Sequence, residues 1–173
     1  MEIKRVNVFV HWSLLLIGTL ILLGAVENPL LSFTVLVSYY GVILLHDCGH
    51  IFAALRRGCE VFSIELYPIW GITQFTLPFS AFDQCVIAWG GVAAQALVAV
   101  PLIGCAELLG YSRFEPVSAI LAIWGFFSLS MAIFNLLPIQ PLDGATAWRL
   151  LPALVKRSPG AEVRRERGWR SWR

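Results

Sequence analysis

His46, Asp47 and His50 stand together in the run H-D-C-G-H. On an α-helix, residues four apart are rotated by about 40° and separated by about 6 Å along the axis. His46 and His50 therefore share one face, at a spacing that lets two imidazoles chelate one tetrahedral metal ion. Asp47 lies on the flank of that face, about 60° past His50. Cys48 points elsewhere, about 200° from His46, and is not counted as a ligand. A catalytic zinc takes three protein ligands and keeps a fourth position for water. The candidate third ligand is Asp143, in N-L-L-P-I-Q-P-L-D-G at 135–144. Pro138 and Pro141 end a preceding helix and force extended backbone, and Gly144 permits a sharp turn. An extended piece can deliver a carboxylate sideways into a bundle, which a continuing helix could not do. His11, the remaining histidine, has no partner at ligand spacing and is expected at an interface or behind the site.

The elements that must position these groups are strongly apolar. Of the 173 residues, 58% are hydrophobic and 14% charged, and mean hydropathy is +0.73. Soluble domains are about half apolar and about a quarter charged, and disorder needs the reverse composition. Charge-free stretches at 6–26, 28–46, 84–106 and 116–142 locate four predicted membrane spans, at 8–25, 33–56, 82–109 and 116–137, because a span needs about 20 apolar residues. His46, Asp47 and His50 fall inside the second. Ionisable groups there are expensive and are functional suspects by default. The fold class expected is thus an all-α membrane protein, a bundle of about four transmembrane helices.

The stretch at 60–77 is different. Its Pro68, Gly71, Thr73, Gln74 and Pro78 surroundings dilute a helix, and E-V-F-S-I-E-L-Y alternates in part. It reads as one or two short strands with a turn near 68–71. Such backbone survives at membrane depth only when buried in protein or lining a wet cavity. Basic residues cluster at the N-terminus, at Arg56–Arg57 and in the tail after Arg149. Their alternation places both termini in the cytoplasm, with a cell or inner membrane as the expected location. The second and fourth spans then run the same way, and His46, His50 and Asp143 emerge at one side. The first span is too long for a cleaved signal peptide and lacks a small-residue cleavage site. The chain divides into a membrane core at 1–157 and a basic tail at 158–173. That tail alone does not indicate nucleic-acid binding. Cys48, Cys59, Cys85 and Cys105 have no paired spacing and read as small apolar fillers.

H-D-C-G-H in the second span, W-G-G-V-A-A-Q at 89–95 and N-L-L-P-I-Q-P-L-D-G after the fourth span resemble the site-2 protease family of intramembrane zinc metalloproteases. V-H-W-S at 10–13 and the strand-like run fit as well, so the resemblance covers about 5–155. It implies His46, His50 and Asp143 as ligands of Zn2+, Asp47 as general base, and Asn135 as a helper near the substrate. Gln95, in the third-span motif, is assigned to the substrate with it. The resemblance also implies that the strand-like segment clamps an unwound substrate by strand addition. Two positions depart from the family pattern. Asp47 stands where Glu is usual, which shortens the base by a methylene. The third-span motif lacks its proline and has Gln95 for asparagine, which keeps the amide on a longer arm.

The expected function is hydrolysis of peptide bonds in membrane-embedded segments of other proteins. The rivals are a non-catalytic zinc-binding homologue and a small ion or proton transporter that uses His46, Asp47 and His50 as a relay. The linked Asp143 signature argues against the transporter. The implied partners are a membrane protein substrate and the lipid bilayer, with a homo-oligomer left open.

Overall fold

Helix α2 (Pro29–Arg56) and helix α3 (Ala81–Leu109) form the spine of the chain in the computed structural model. The structure describes residues 7–149 apart from 25, 68–70, 77 and 79. The tail, the boundary at 157 and the tip of the turn at 68–70 lie outside those residues. Asn28 caps α2, its side-chain oxygen accepting from the Leu31 amide at 3.2 Å, with Pro29 in the first helical turn. Gly58, at φ 75°, lets the chain leave that helix. Ser80 caps α3 in the same way, accepting from the Asp83 amide at 3.1 Å. The two helices cross at Gly49 and Gly90. A Cβ on either glycine would run into the backbone carbonyl of the other, so only glycine allows this approach.

A three-stranded sheet flanks the spine. Strand β1 (Asn7–Val10) pairs in parallel with β2 (Val61–Leu66), and β2 pairs antiparallel with β3 (Gly71–Phe75). The hairpin agrees with the expected strand-like stretch. The first strand differs from expectation, since 8–10 fall at the head of the span predicted at 8–25. Their β-branched and aromatic side chains suit strand and lipid equally. What decides is the partner, since Asn7–Val10 meets Ser63, Ile64, Glu65 and Leu66, and the His11 amide extends the ladder to the Leu66 carbonyl at 3.0 Å.

Helix α1 (Trp12–Gly24) has 13 residues and rises about 20 Å, short of the roughly 30 Å hydrocarbon core. Three described helical stretches are long and apolar enough to cross a membrane: Pro29–Arg56, Ala81–Leu109 and Glu115–Asn135. Among the described residues the four predicted spans thus correspond to three long apolar helices and one shorter apolar helix, α1. The last stretch is not uniform. Helix α4 (Glu115–Leu121) passes into a π-helical turn (Ala122–Phe127) and then α5 (Ser128–Asn135). Trp124 in that turn packs onto Gly41 of α2, where a Cβ would collide with its indole. A four-residue helix, α6 (Gly144–Ala147), follows.

Candidate metal centre

His46 and His50 project from one face of α2, with ring centroids 4.5 Å apart and planes at 85°. Both are buried, as is Asp47 between them. Each imidazole meets α3 through Nδ1. The Nδ1 of His50 donates to the Ile87 carbonyl at 2.8 Å, and the Nδ1 of His46 lies 3.0 Å from Gln95 Oε1. Ile87, Gly91 and Gln95 are spaced four apart, so they stand on successive turns of one α3 face. Gly91 is the gap into which the rings fit. A Cβ there would come within 2.5 Å of His50 Nε2 and 2.6 Å of His46 Cε1.

Asp143 arrives from the segment that follows α5. Pro138 and Pro141 end the helix as expected, but the backbone from 136 to 143 is a series of turns and bends, with a cis Gln140–Pro141 bond, and not an extended piece. Its bonds are local, such as Leu142 N–H to the Ile139 carbonyl at 2.9 Å. Asp143 itself has helical dihedrals and leads into α6. Gly144 does not take positive φ. It is needed because a Cβ would strike the carbonyls of Leu136 and Leu137. Helix α6 is tied to α3 by Trp89 Nε1 donating to the Ala147 carbonyl at 3.1 Å and by the Cys85 thiol meeting the Thr146 carbonyl at 3.3 Å.

The outcome is a triangle of donor atoms. His46 Nε2 and His50 Nε2 are 3.0 Å apart, and Asp143 Oδ2 lies 3.1 Å and 3.2 Å from them. With the ring protons on Nδ1, toward α3, both Nε2 atoms present lone pairs. Three lone pairs at these distances repel unless a cation sits among them. A tetrahedral ion with bonds of about 2 Å sets its ligand atoms about 3.3 Å apart, and the triangle matches. With the imidazoles protonated instead, Asp143 is pushed up by burial but held net down, at about 2, by the hydrogen bonds and charge of His46 and His50. Either way it offers an anionic oxygen. The donor set of two imidazoles and one carboxylate suits zinc.

Asp47 lies beside this triangle, 2% exposed, and neither carboxylate oxygen has a hydrogen-bond partner among the described residues. Gly71 of β3 sits directly over it, where a Cβ would overlap the carboxylate. A cavity of about 810 Å³ opens onto the centre. Alternate residues of β3 (Gly71, Thr73 and Phe75) form one wall, and Asn135 and Leu142 contribute to another. Asn135 is buried and donates to the Met131 carbonyl at 3.1 Å. Gln95 departs from expectation. It does not line the cavity, being fully buried behind His46, because its longer arm ends on the imidazole. Cys48 is exposed and outside the cluster. His11 is also outside it, stacked on Tyr67 at 4.9 Å and bonded through Nδ1 to the Ser13 hydroxyl at 2.6 Å.

Three contributors escaped the sequence reading. The Ile87 carbonyl carries no side-chain signal. Gly71 reads as a turn residue. Gly91 stands in a W-G-G run whose paired glycines do signal close helix approach.

Comparison with known proteins places these features. Residues 98–167 match the profile of peptidase family M50. Rip3 of Mycobacterium tuberculosis, provisionally named a zinc metalloprotease, is 31% identical over 173 aligned residues, covering 90% of this chain and 42% of its own length. The Synechocystis protein sll0528, provisionally named likewise, is 31% identical over 109 residues, covering 61% of this chain and 27% of its own. The chain thus spans less than half the length of either relative. The site-2 protease of Methanocaldococcus jannaschii superposes with a TM-score of 0.61 at 21% identity, covering 91% of this chain and 72% of that one, which shows a shared fold.

Proposed function

We propose that this chain, an integral membrane relative of the M50 peptidases with the site-2 protease fold, forms the core of a zinc endopeptidase that cuts membrane-embedded segments of other proteins. The observation that carries this is the donor triangle, His46 Nε2, His50 Nε2 and Asp143 Oδ2 at 3.0–3.2 Å, with both Nδ1 atoms already engaged. These three residues would hold the ion. Bound zinc would polarise the scissile carbonyl and acidify a water.

The chain's own residues perform the remaining steps. Asp47 takes the proton from the attacking water and hands it to the leaving amine. Its oxygens have no other partner among the described residues to give up first. Asn135, on the cavity wall, orients the substrate backbone. The β3 wall receives an unwound segment, because a helical peptide bond is shielded by its own hydrogen bonds. The alternation of basic residues supports placing both termini in the cytoplasm and the chain in a cell or inner membrane.

The test is zinc content of purified protein measured beside cleavage of a reporter carrying a transmembrane segment. About one zinc per chain, with cleavage lost on chelation and restored by zinc, is expected. Zinc-free protein that still cuts would refute the reading.

A further inference from the structure

A neutral imidazole carries one N–H, on either nitrogen. To bind a metal through Nε2, it must keep its proton on Nδ1. For His50 the backbone settles this, since the Ile87 carbonyl can only accept. For His46 the partner is a side chain. Gln95 is 0% exposed in the middle of an apolar helix, where an amide is costly unless it is hydrogen-bonded. Its Oε1 lies 3.0 Å from His46 Nδ1, and its Nε2 has no partner among the described residues. The amide is oriented so that only its acceptor is used. The reverse orientation would aim an N–H at Nδ1, drive the ring proton to Nε2 and point it at Asp143, where it would compete with an ion.

We propose that Gln95 is a positioning residue for the metal ligand His46, accepting the Nδ1 proton and so fixing the ring nitrogen and the direction that face the centre. This deepens the zinc reading above and rests on it. It also explains the arrangement of α3. Ile87 and Gln95, one turn to either side of Gly91, receive the two rings, and Gly91 makes room for both. Gln95 therefore acts through His46 and not on the substrate.

The experiment measures zinc affinity of the full chain in detergent by competition with a chromogenic chelator, with no reference to cleavage. Gln95→Met keeps the volume and removes the acceptor. Gln95→Asn keeps an amide on an arm too short to reach. Both should weaken zinc binding by about 10–100-fold, the usual effect of removing a partner behind a metal ligand. Gln95→Glu keeps the length and, when ionised, can only accept, so at a pH where it is ionised it should bind zinc at least as tightly as the wild type. Wild-type affinity in whichever of Gln95→Met and Gln95→Asn folds would overturn the proposal. A loss in Gln95→Glu as large as in Gln95→Met would overturn it too, because packing and not the acceptor would then matter. Wild-type protein that binds no zinc would instead bring down the metal reading on which this rests.

Discussion

The two sides of the centre are built by opposite rules. Where α2 meets α3, the Nδ1 atoms of both imidazoles have partners on α3, and glycines at 49, 90 and 91 bring the helices together. Where α2 meets β3, polar atoms are left over. Both oxygens of Asp47 and the Thr73 hydroxyl are buried without a hydrogen-bond partner among the described residues. Native proteins rarely leave such groups unpaired without a functional reason. On the first side the ligand imidazoles are already held before anything binds, which suits a permanent ion. The second is complete only when water and substrate supply the missing partners. The comparison separates holding from working, and substitutions can test that separation.

The largest effect is expected from the ligands. His50→Ala or Asp143→Ala removes one of three donors, so zinc occupancy should collapse and cleavage with it. Metal analysis of each purified variant checks this, and full zinc retention in Asp143→Ala would remove that residue from the centre. Next comes Asp47→Ala. Asp47 belongs to the working side, so zinc should stay while cleavage falls by about 10²–10⁴-fold, the usual worth of general acid–base catalysis. Asp47→Glu sharpens the point, since a gain in cleavage would show that the short arm limits the rate. Wild-type cleavage by Asp47→Ala would end its assignment as the base.

These roles were unevenly legible. The H-D-C-G-H spacing needs only helix geometry, so the histidine pair could be read directly. Asp143 could be assigned because two prolines and a glycine punctuate its approach, although the route proved to be turns and the glycine serves close packing. Strand β1 was hidden because its evidence is a ladder to residues over fifty positions away. The contact of Gln95 Oε1 with His46 Nδ1 was hidden because the motif signals an amide near the site but not which side of the imidazole it occupies. The π-helical turn at Ala122–Phe127 has no Pro or charge to mark it. Its visible correlate, Trp124 on Gly41, is a contact between helices.

Two glycines test the two sides with the same added methyl. Gly91→Ala crowds both imidazoles and should lower zinc affinity, with cleavage falling only as occupancy falls. Gly71→Ala crowds the Asp47 carboxylate. It should leave zinc affinity unchanged and reduce cleavage of saturated enzyme by up to about 100-fold, the scale of a 1 Å displacement near the chemistry. Chelator competition and cleavage with excess zinc distinguish the two. If both variants lost zinc equally, the sides would be one unit and the comparison would fail.

The smallest effect should come from the support behind Asp143. Trp89 donates from Nε1 to the Ala147 carbonyl at 3.1 Å, and its ring packs edge-on against Trp148 at 5.7 Å. Trp89→Phe removes the donor while keeping an aromatic ring. One neutral hydrogen bond contributes about 1 kcal/mol net, and tenfold in affinity corresponds to about 1.4 kcal/mol. Helix α6 keeps its other tie, from Cys85 to the Thr146 carbonyl, and Trp148 still donates to the Leu136 carbonyl. Zinc affinity should therefore drop by less than about tenfold, measured by the same competition. A loss approaching that of Asp143→Ala would mean that this single indole holds the carboxylate in place, and that the turns after α5 carry little rigidity of their own.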